Sequence, residues 1–232
     1  MHRTVVSEGG YRVFAEVALV EGATVDAIAM LRRAVDTATV VIEHTTAAQF
    51  ADPTLCTNWT VKDVINHLVV ATRTFAIAAE QASTTPEAHT TVPASPLSPT
   101  RVSAWIGLGQ LTSRGRVRTD PRSGWDRAAR RAIAAFEAPG VLDKVANLPF
   151  ATISVKVSLD ILIFDVATHA TDLARATGQT VADKELLEAV LTLGHQVISP
   201  KLRVAGVFDE EQPVPADAPI EDRLLTFAGR RI

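Results

Sequence analysis

The segment FDVATHATDLARATGQ, residues 164–179, carries the polar pattern on which the fold and the function of this chain depend. Its periodicity belongs to one predicted helix over 158–177. Within that helix Asp165 and His169 are four residues apart, and Asp172 follows three residues later. At 3.6 residues per turn these side chains fall on one stripe, in line with apolar neighbours. The pattern therefore predicts a carboxylate and an imidazole that face the protein interior.

Two arrangements of Asp165 and His169 are compatible with this spacing. A buried charge is costly unless it is paired or bound to a cation. Side chains at i and i+4 have Cβ atoms roughly 5–6 Å apart, so both can reach one metal ion. The same spacing also suits a local ion pair, which is the more common use of such residues. A further ligand from another helix would decide in favour of a metal.

Length, charge and cysteine content narrow the class of protein. The 232 residues can bury a core as one domain, and the net charge of −3 with a pI of about 6.1 gives no indication of nucleic-acid binding or a polybasic membrane anchor. No uncharged apolar run reaches the ~18 residues of a membrane span, and the N-terminus lacks the pattern of a signal peptide. Cys56 is the single cysteine, so no intrachain disulfide can form and a cytoplasmic location is expected.

The pattern of apolar residues divides the chain into an N-terminal appendage, 1–23, and one helical domain, 24–232. Four main helices are predicted to begin near Val25, Thr60, Pro121 and Ser158, with a further helix near Asp183 and a short one around Pro219 to Ala228. Prolines mark 82–103 as a long extended connection. Alternation over 148–157 favours an extended segment there, and Gly178 is placed to end the fourth helix.

The predicted second helix carries a histidine, His67, on its apolar face. Thr60 is a good N-cap, and Asp63 completes a pattern that resembles a capping box. A lone histidine on an apolar stripe is usually a hydrogen-bonded core residue, and a metal ligand is the alternative. Cys56 lies just upstream and is interpreted as a small buried side chain rather than a reactive thiol, because no neighbour in the sequence would lower its pKa.

Four segments together resemble a known family. They are PTLCTNWTVKDVINHLV (53–69), AFEAPGVLDKVANLPF (135–150), DVATHATDLARATGQ (165–179) and VPADAPIEDRLLTFAGR (214–230). In this order they resemble the DinB-like four-helix-bundle metalloproteins, in the actinobacterial branch related to the metal-binding domain of mycothiol-dependent maleylpyruvate isomerase. The resemblance implies an all-α fold: a DinB-like four-helix bundle with additional short helices and a long proline-rich connection.

The resemblance also implies a metal site. The family takes a histidine from the second helix and an acid and a histidine at i, i+4 from a later helix. By position these are His67, Asp165 and His169. Asp172 matches a family residue that would support the helix or a ligand rather than bind the metal. The isomerase relatives carry the longer glutamate where this chain has Asp165, so its reach is about one methylene shorter.

The function implied by the resemblance is metal-dependent thiol chemistry. A divalent cation, zinc or nickel, would activate a low-molecular-weight thiol, mycothiol, for transfer to, or isomerisation of, a small electrophilic substrate. One alternative is a metal-dependent hydrolase of a small molecule, and another is a non-catalytic bundle that binds a metal or ligand. The expected partners are the thiol and the electrophile, a homodimer is left open, and no catalytic residue beyond the metal ligands is assigned.

Overall fold

The computed structural model describes residues 27–84, 120–149, 151–198, 200, 203 and 208–232. The predicted N-terminal appendage, 1–23, lies outside these residues. So does the predicted proline-rich connection, 82–103, apart from its first three residues. The assignment of 24–232 to one domain stays a prediction.

Helices dominate the described part of the chain. They are, in order, α1 Ala27–His44, α2 Val61–Glu80, α3 Pro121–Phe136, α4 Val155–Ala176, α5 Lys184–Val197 and α6 Ile220–Phe227. The connections include two short 3-10 helices, Ala47–Ala51 and Val141–Asp143, and an antiparallel hairpin of strands β1 Val145–Leu148 and β2 Ala151–Ser154. The prediction of an all-α fold is therefore confirmed. No helix within the described ranges is long and apolar enough to cross a membrane.

The first four helices form a closed bundle. Helix α1 packs on α4, α4 on α2, α2 on α3, and α3 on α1. Helix α5 packs outside on α4, and α6 packs on both α5 and α4. The predicted apolar stripes face this core; buried residues include Leu31, Val35, Ala38, Ile42, Val64, Leu68, Phe75, Trp125, Ala132, Phe136, Leu186 and Val190. Each fully buried large side chain contributes about 1.5–3 kcal/mol, so the bundle is stabilised mainly by these stripes.

Local sequence signals fix where several helices begin. The Thr60 hydroxyl accepts the N–H of Asp63 at 3.3 Å, and the Asp63 carboxylate accepts the N–H of Thr60 at 2.9 Å, which confirms the capping box. Asp120 caps α3 through the N–H of Arg122, with Pro121 at the first helical position. Because these caps satisfy backbone donors that the helix leaves unpaired, α2 and α3 begin where the sequence predicts.

The boundary before α4 differs from the prediction. The sequence predicts an extended segment over 148–157 and a helix that begins near Ser158. In the structure the hairpin ends at Ser154, and α4 begins at Val155. The hydroxyl of Ser154 accepts the N–H of Val157 at 3.2 Å. The β-branched valines after Ser154 resemble a strand in sequence, but this cap commits them to the helix.

Helix α6 ends in a turn that fixes the direction of the following residue. Gly229 has φ +90°, and the N–H of Arg230 reaches the carbonyl of Leu225 at 2.9 Å. The N–H of Gly229 reaches the carbonyl of Thr226, also at 2.9 Å, which completes a Schellman motif. A Cβ at Gly229 would lie 2.8 Å from Cβ and 2.9 Å from the carbonyl oxygen of Asp209. Glycine is therefore required both for the backbone conformation and for the close approach.

Ion pairs and apolar contacts hold α6 against the bundle. Arg175 of α4 pairs with Asp222, and Lys184 of α5 pairs with Glu221. Both acids lie in the first turn of α6, where negative charge is favourable. Leu224 and Leu225 of α6, together with Phe227, are buried beneath these pairs. These contacts hold α6 in place and thereby position Arg230, which follows it in the chain.

Candidate metal centre

His169, in the second half of α4, presents its two ring nitrogens to two different groups of side chains. Its Nε2 lies 3.6 Å from Oδ1 of Asp165, and its Nδ1 lies 3.0 Å from Oδ2 of Asp172. We call His67 and Asp165 the Nε2 side. We call Cys56, Asp172 and Arg230 the Nδ1 side. The two sides share one imidazole and differ in how their carboxylates are neutralised.

The Nε2 side brings together the three predicted metal ligands. His67 extends from α2, and its Nε2 lies 3.1 Å from Oδ1 of Asp165. The nitrogens of His67 and His169 and a carboxylate oxygen of Asp165 all lie within 4.8 Å of one another. The side chains are 7%, 19% and 12% exposed for His67, Asp165 and His169, so the group lies at the edge of the core. Metal binding by these residues stays a prediction.

The donor atoms on the Nε2 side fit a divalent cation. Ligand atoms about 2.1 Å from a tetrahedral zinc ion are about 3.4 Å from each other, and the separations from Asp165 Oδ1, 3.1 Å and 3.6 Å, lie close to that value. The hydrogen bond to His67 accounts for Oδ1 of Asp165 alone. Oδ2 is buried and makes no hydrogen bond to the described residues. An unpaired buried carboxylate oxygen is costly, and a divalent cation is one partner that would satisfy Oδ2.

The Nδ1 side is fully paired. Asp172 is completely buried, and its Oδ2 accepts hydrogen bonds from His169 Nδ1 at 3.0 Å and from Arg230 Nη2 at 2.7 Å. The same oxygen accepts from the Cys56 thiol at 3.1 Å. Its other oxygen, Oδ1, accepts from Arg230 Nε at 3.1 Å. Arg230 and Asp172 therefore form a bidentate ion pair, the geometry that best compensates two desolvated charges.

These contacts determine the charge and tautomer of His169. Burial raises the pKa of Asp172, but the Arg230 guanidinium and the contacts with His169 together outweigh burial and hold that pKa well below its ordinary value. Burial lowers the pKa of His169, and its hydrogen bond to Asp172 opposes that effect only in part. Asp172 is thus an anionic acceptor beside a neutral imidazole. Nδ1 carries the hydrogen, and Nε2 offers its lone pair to the other side.

The remaining titratable groups of the centre follow the same physics. Burial raises the pKa of Asp165, but the interactions with His67, His169 and Arg230 together outweigh burial, and the net change is downward. Burial, reinforced by the charge of Asp172, raises the pKa of the Cys56 thiol from 9.0 to about 12. The thiol is therefore protonated at neutral pH and serves as a hydrogen-bond donor.

A tight loop between the first 3-10 helix and α2 places an aromatic wall over both histidines. The Trp59 ring stacks on His169 with centroids 5.9 Å apart and an interplanar angle of 9°, and its centroid lies 5.0 Å from that of His67. The loop is closed by hydrogen bonds between Thr54 and Trp59, and Asn58 adopts φ +65°, which asparagine tolerates. Trp59 thereby covers the imidazole rings and limits their rotation.

Two residues of the centre were not predicted as functional from the sequence. The raised pKa of Cys56 agrees with its interpretation as an unreactive thiol, whereas its contacts with Asp172 and Arg230 are not predicted by the sequence. Arg230 lay in a segment that resembled the family, but no role was given to it. The Gly229-Arg230 pair signals the end of a helix, whereas no local signal indicates a partner 174 residues away.

The bundle and the histidine–carboxylate group between α2 and α4 define the class of protein: this is an all-α, DinB-like helical bundle. The chain belongs to the family of the mycothiol maleylpyruvate isomerase N-terminal domain, which matches residues 31–174. The relationship predicted from the four segments is therefore confirmed. The match includes His67, Asp165, His169 and Asp172, whereas Arg230 lies beyond it.

Two curated relatives and a solved structure are similar to this chain. Two curated relatives from Mycobacterium tuberculosis, the uncharacterized proteins MT0763 of strain CDC 1551 / Oshkosh and Rv0738 of strain ATCC 25618 / H37Rv, are each 30% identical over 204 residues. The alignments cover 87% of this chain and 96% of each relative. A crystal structure of the mycothiol-dependent maleylpyruvate isomerase shares the fold with a TM-score of 0.50 at 16% identity. That match covers 72% of this chain and 66% of the isomerase chain, slightly less than two thirds of it.

Proposed function

We propose that this chain is a metal-dependent enzyme that activates a low-molecular-weight thiol, mycothiol, for transfer to, or isomerisation of, a small electrophilic substrate. His67, Asp165 and His169 would bind the divalent cation, which is zinc or nickel. The observation that carries the proposal is the buried Oδ2 of Asp165, which has no hydrogen-bond partner among the described residues and lies beside two imidazoles. Membership in a family described by mycothiol chemistry supports the choice of thiol.

The residues around the centre perform separate tasks. Three protein ligands leave a fourth position of a tetrahedral ion open to a small molecule. The bound cation would supply acidification of a coordinated thiol or water at neutral pH. Asp165 provides a negative charge, Asp172 keeps the lone pair of His169 Nε2 available, and the Trp59 ring restricts access of water to the imidazoles.

The charges of the centre support an anionic ligand. Asp165 and Asp172 contribute −2 and Arg230 contributes +1, which leaves −1 when both histidines are neutral. A divalent cation brings the sum to +1, and a thiolate brings it to zero. Since uncompensated charge in a desolvated site is costly, a monoanionic ligand is favoured. A hydroxide has the same charge and would give the hydrolase, whereas the family description supports the thiol.

The proposal is tested by thermal unfolding of the zinc-loaded and chelator-treated protein with mycothiol. A ligand at 100 times its dissociation constant stabilises the native state by about 2.7 kcal/mol, so the Tm of the loaded protein should rise with mycothiol concentration. The metal-free protein should not respond. S-methylated mycothiol is the matched control, because it lacks the ionisable thiol.

An equal shift in the metal-free protein would place the thiol elsewhere and contradict the proposal. Hydrolysis of an ester or amide panel by the loaded protein, without any thiol, would instead support the hydrolase.

A further inference from the structure

The Nδ1 side contains a second set of atoms of the kind that bind metals. Sγ of Cys56, Nδ1 of His169 and a carboxylate oxygen of Asp172 lie within 4.8 Å of one another. A thiolate, an imidazole and a carboxylate would suit zinc at least as well as the ligands on the Nε2 side. His169 belongs to both sets, so a cation could in principle approach either ring nitrogen. Some feature of the fold must decide between the two sides.

Arg230 occupies the position that such a cation would need. Its guanidinium contacts both oxygens of Asp172, at 3.1 Å from Nε and 2.7 Å from Nη2, and Nη2 also lies 3.4 Å from Sγ of Cys56. A divalent ion there would have to displace a bidentate partner and would be repelled by a permanent positive charge. On the Nε2 side, the ion pairs of Asp165 among the described residues are with histidines alone.

We propose that Arg230 is a positioning residue that directs the cation to the Nε2 side of His169. It acts in two ways. By satisfying Asp172, it orients the carboxylate that holds the hydrogen on Nδ1, so that Nε2 is the nitrogen available to a metal. By filling the space beside Cys56, it excludes a cation from the Nδ1 side. The first effect, on the tautomer of His169, rests on the proposed metal centre at the Nε2 side. The second effect, exclusion of a cation from the Nδ1 side, concerns Cys56, His169 and Asp172 alone.

The fold holds Arg230 in this orientation through its backbone turn and a side-chain hydrogen bond. Its backbone is fixed by the Schellman motif after Gly229, and its Nη1 donates to the carbonyl of Ala228 at 2.7 Å. Its side chain is 13% exposed, so solvent competes little for the guanidinium. A lysine at this position would keep the charge but could not satisfy both oxygens of Asp172.

Cobalt(II) binding distinguishes the two sides, because a thiolate ligand gives an intense near-ultraviolet charge-transfer band that histidine and carboxylate ligands lack. The wild-type protein should bind cobalt without this band. Arg230→Met keeps an apolar side chain and removes the charge, so the variant should gain the thiolate band. Its cobalt affinity at the Nε2 side should fall by about 10–100-fold, the usual effect of losing a residue that supports a metal ligand. Arg230→Met combined with Cys56→Ser should lose the band again.

Two further variants separate charge from general disturbance. Arg230→Lys should not gain the band, because an ammonium group still repels the cation. Arg223→Met removes an α6 arginine that pairs with Glu188, away from the centre, and should behave as wild type. The histidine tautomer in the metal-free wild-type protein provides a readout that needs no variant. Nitrogen-15 shifts should show the hydrogen of His169 on Nδ1.

The inference is overturned if Arg230→Met binds cobalt with wild-type affinity and no thiolate band, or if the hydrogen of His169 is found on Nε2. Failure of the proposed function has a different signature. The wild-type protein would then bind no cobalt, while Arg230→Met would still gain the band from Cys56. If Arg230→Met does not fold, the nitrogen-15 measurement on the wild-type protein decides the outcome.

Discussion

The two sides of His169 solve the same electrostatic problem differently. Each places a carboxylate of α4 against the imidazole, with Asp165 facing Nε2 and Asp172 facing Nδ1. On the Nδ1 side the chain supplies its own cation, Arg230, and both carboxylate oxygens are paired. On the Nε2 side one oxygen is left without a partner among the described residues. The difference teaches that burial alone does not distinguish the two carboxylates; the incomplete set of partners of Asp165 does.

Removal of the shared imidazole or of His67 should produce the largest effect. If His67, Asp165 and His169 bind one ion, then His67→Ala and His169→Ala should each remove a ligand. Each should weaken zinc binding by more than the roughly 10–100-fold that follows the loss of a residue that only supports a ligand. The double variant should be little worse than either single variant, because each has already lost the ion. Metal content and competition titration measure both effects.

His44→Ala is the matched control for these variants, because His44 is an exposed histidine at the end of α1. Its zinc content should equal that of the wild-type protein. Independent, additive losses from His67→Ala and His169→Ala would indicate packed core histidines that share no ion.

Replacement of aspartate by asparagine should affect the stability of the metal-free protein in opposite ways on the two sides of His169. Asp172→Asn leaves the Arg230 guanidinium buried without an anionic partner, and we expect it to lower the free energy of unfolding by about 3–5 kcal/mol. Asp165→Asn removes a buried charge that lacks a full set of partners, so the unfolding free energy should be unchanged or higher. Urea unfolding of both variants after chelation measures the contrast. Equal losses would remove the distinction between the two sides.

Unfolding at low pH tests the ion pair between Asp172 and Arg230 on the Nδ1 side. Although burial opposes it, the guanidinium of Arg230 holds the pKa of Asp172 below its ordinary value in the folded state. The resulting stabilisation is therefore present above about pH 4 and is lost as the pH falls toward the folded-state pKa. The Asp172→Asn variant lacks this ionisable carboxylate and its stabilisation, so the unfolding free energy of the variant should depend less on pH. The gap between wild type and variant should narrow in acid, and a gap that stays constant would contradict the ion pair.

The two helix-ending glycines should give the smallest effect. Gly178 after α4 and Gly229 after α6 have φ of +71° and +90°, so alanine at either position costs about 1–2 kcal/mol of backbone strain. An added Cβ at Gly178 would meet no atom within 4 Å, whereas at Gly229 it would lie 2.8 Å from Asp209. Gly229→Ala should therefore destabilise the protein more and, by moving Arg230, also weaken metal binding. Denaturant titration with metal competition measures both, and equal behaviour would show that Arg230 does not depend on this turn.

The bundle could be predicted because its signals are local. Apolar stripes of period 3.6 define the four main helices, and the caps at Thr60 and Asp120 fix where two of them begin. The predicted extended segment, 148–157, contains β2, whereas β1 and the pairing of the two strands are not predicted, because strands of four residues depend on each other more than on alternation within either one. The start of α4 also differs from the prediction, because the cap made by the Ser154 hydroxyl outweighs the preference of the following valines for a strand.

The pairing of Asp165 with His169 could be predicted from their spacing on one helix, and the family resemblance added His67. Asp172, three residues after His169, was also predicted to support the helix or a ligand, and it contacts Nδ1 of His169. Cys56 and Arg230 could not be predicted: Cys56 contacts Asp172 across 116 positions of the chain and Arg230 across 174, and neither residue carries a local pattern that identifies its partners. Such contacts arise from how α6 docks, which periodicity does not determine.

The separation along the chain between Cys56 and Arg230 bears on the order of folding. The contact between His67 and Asp165 closes a loop of 98 positions, whereas that between Cys56 and Arg230 closes 174 and must await the docking of α6. Until then, the thiol and Asp172 stand without their guanidinium. If the chain binds zinc as proposed, an ion that arrives during this interval would find both ring nitrogens of His169 accessible. The supply of metal during folding would then influence where the ion is trapped, even though Arg230 would direct it to Nε2 in the folded protein.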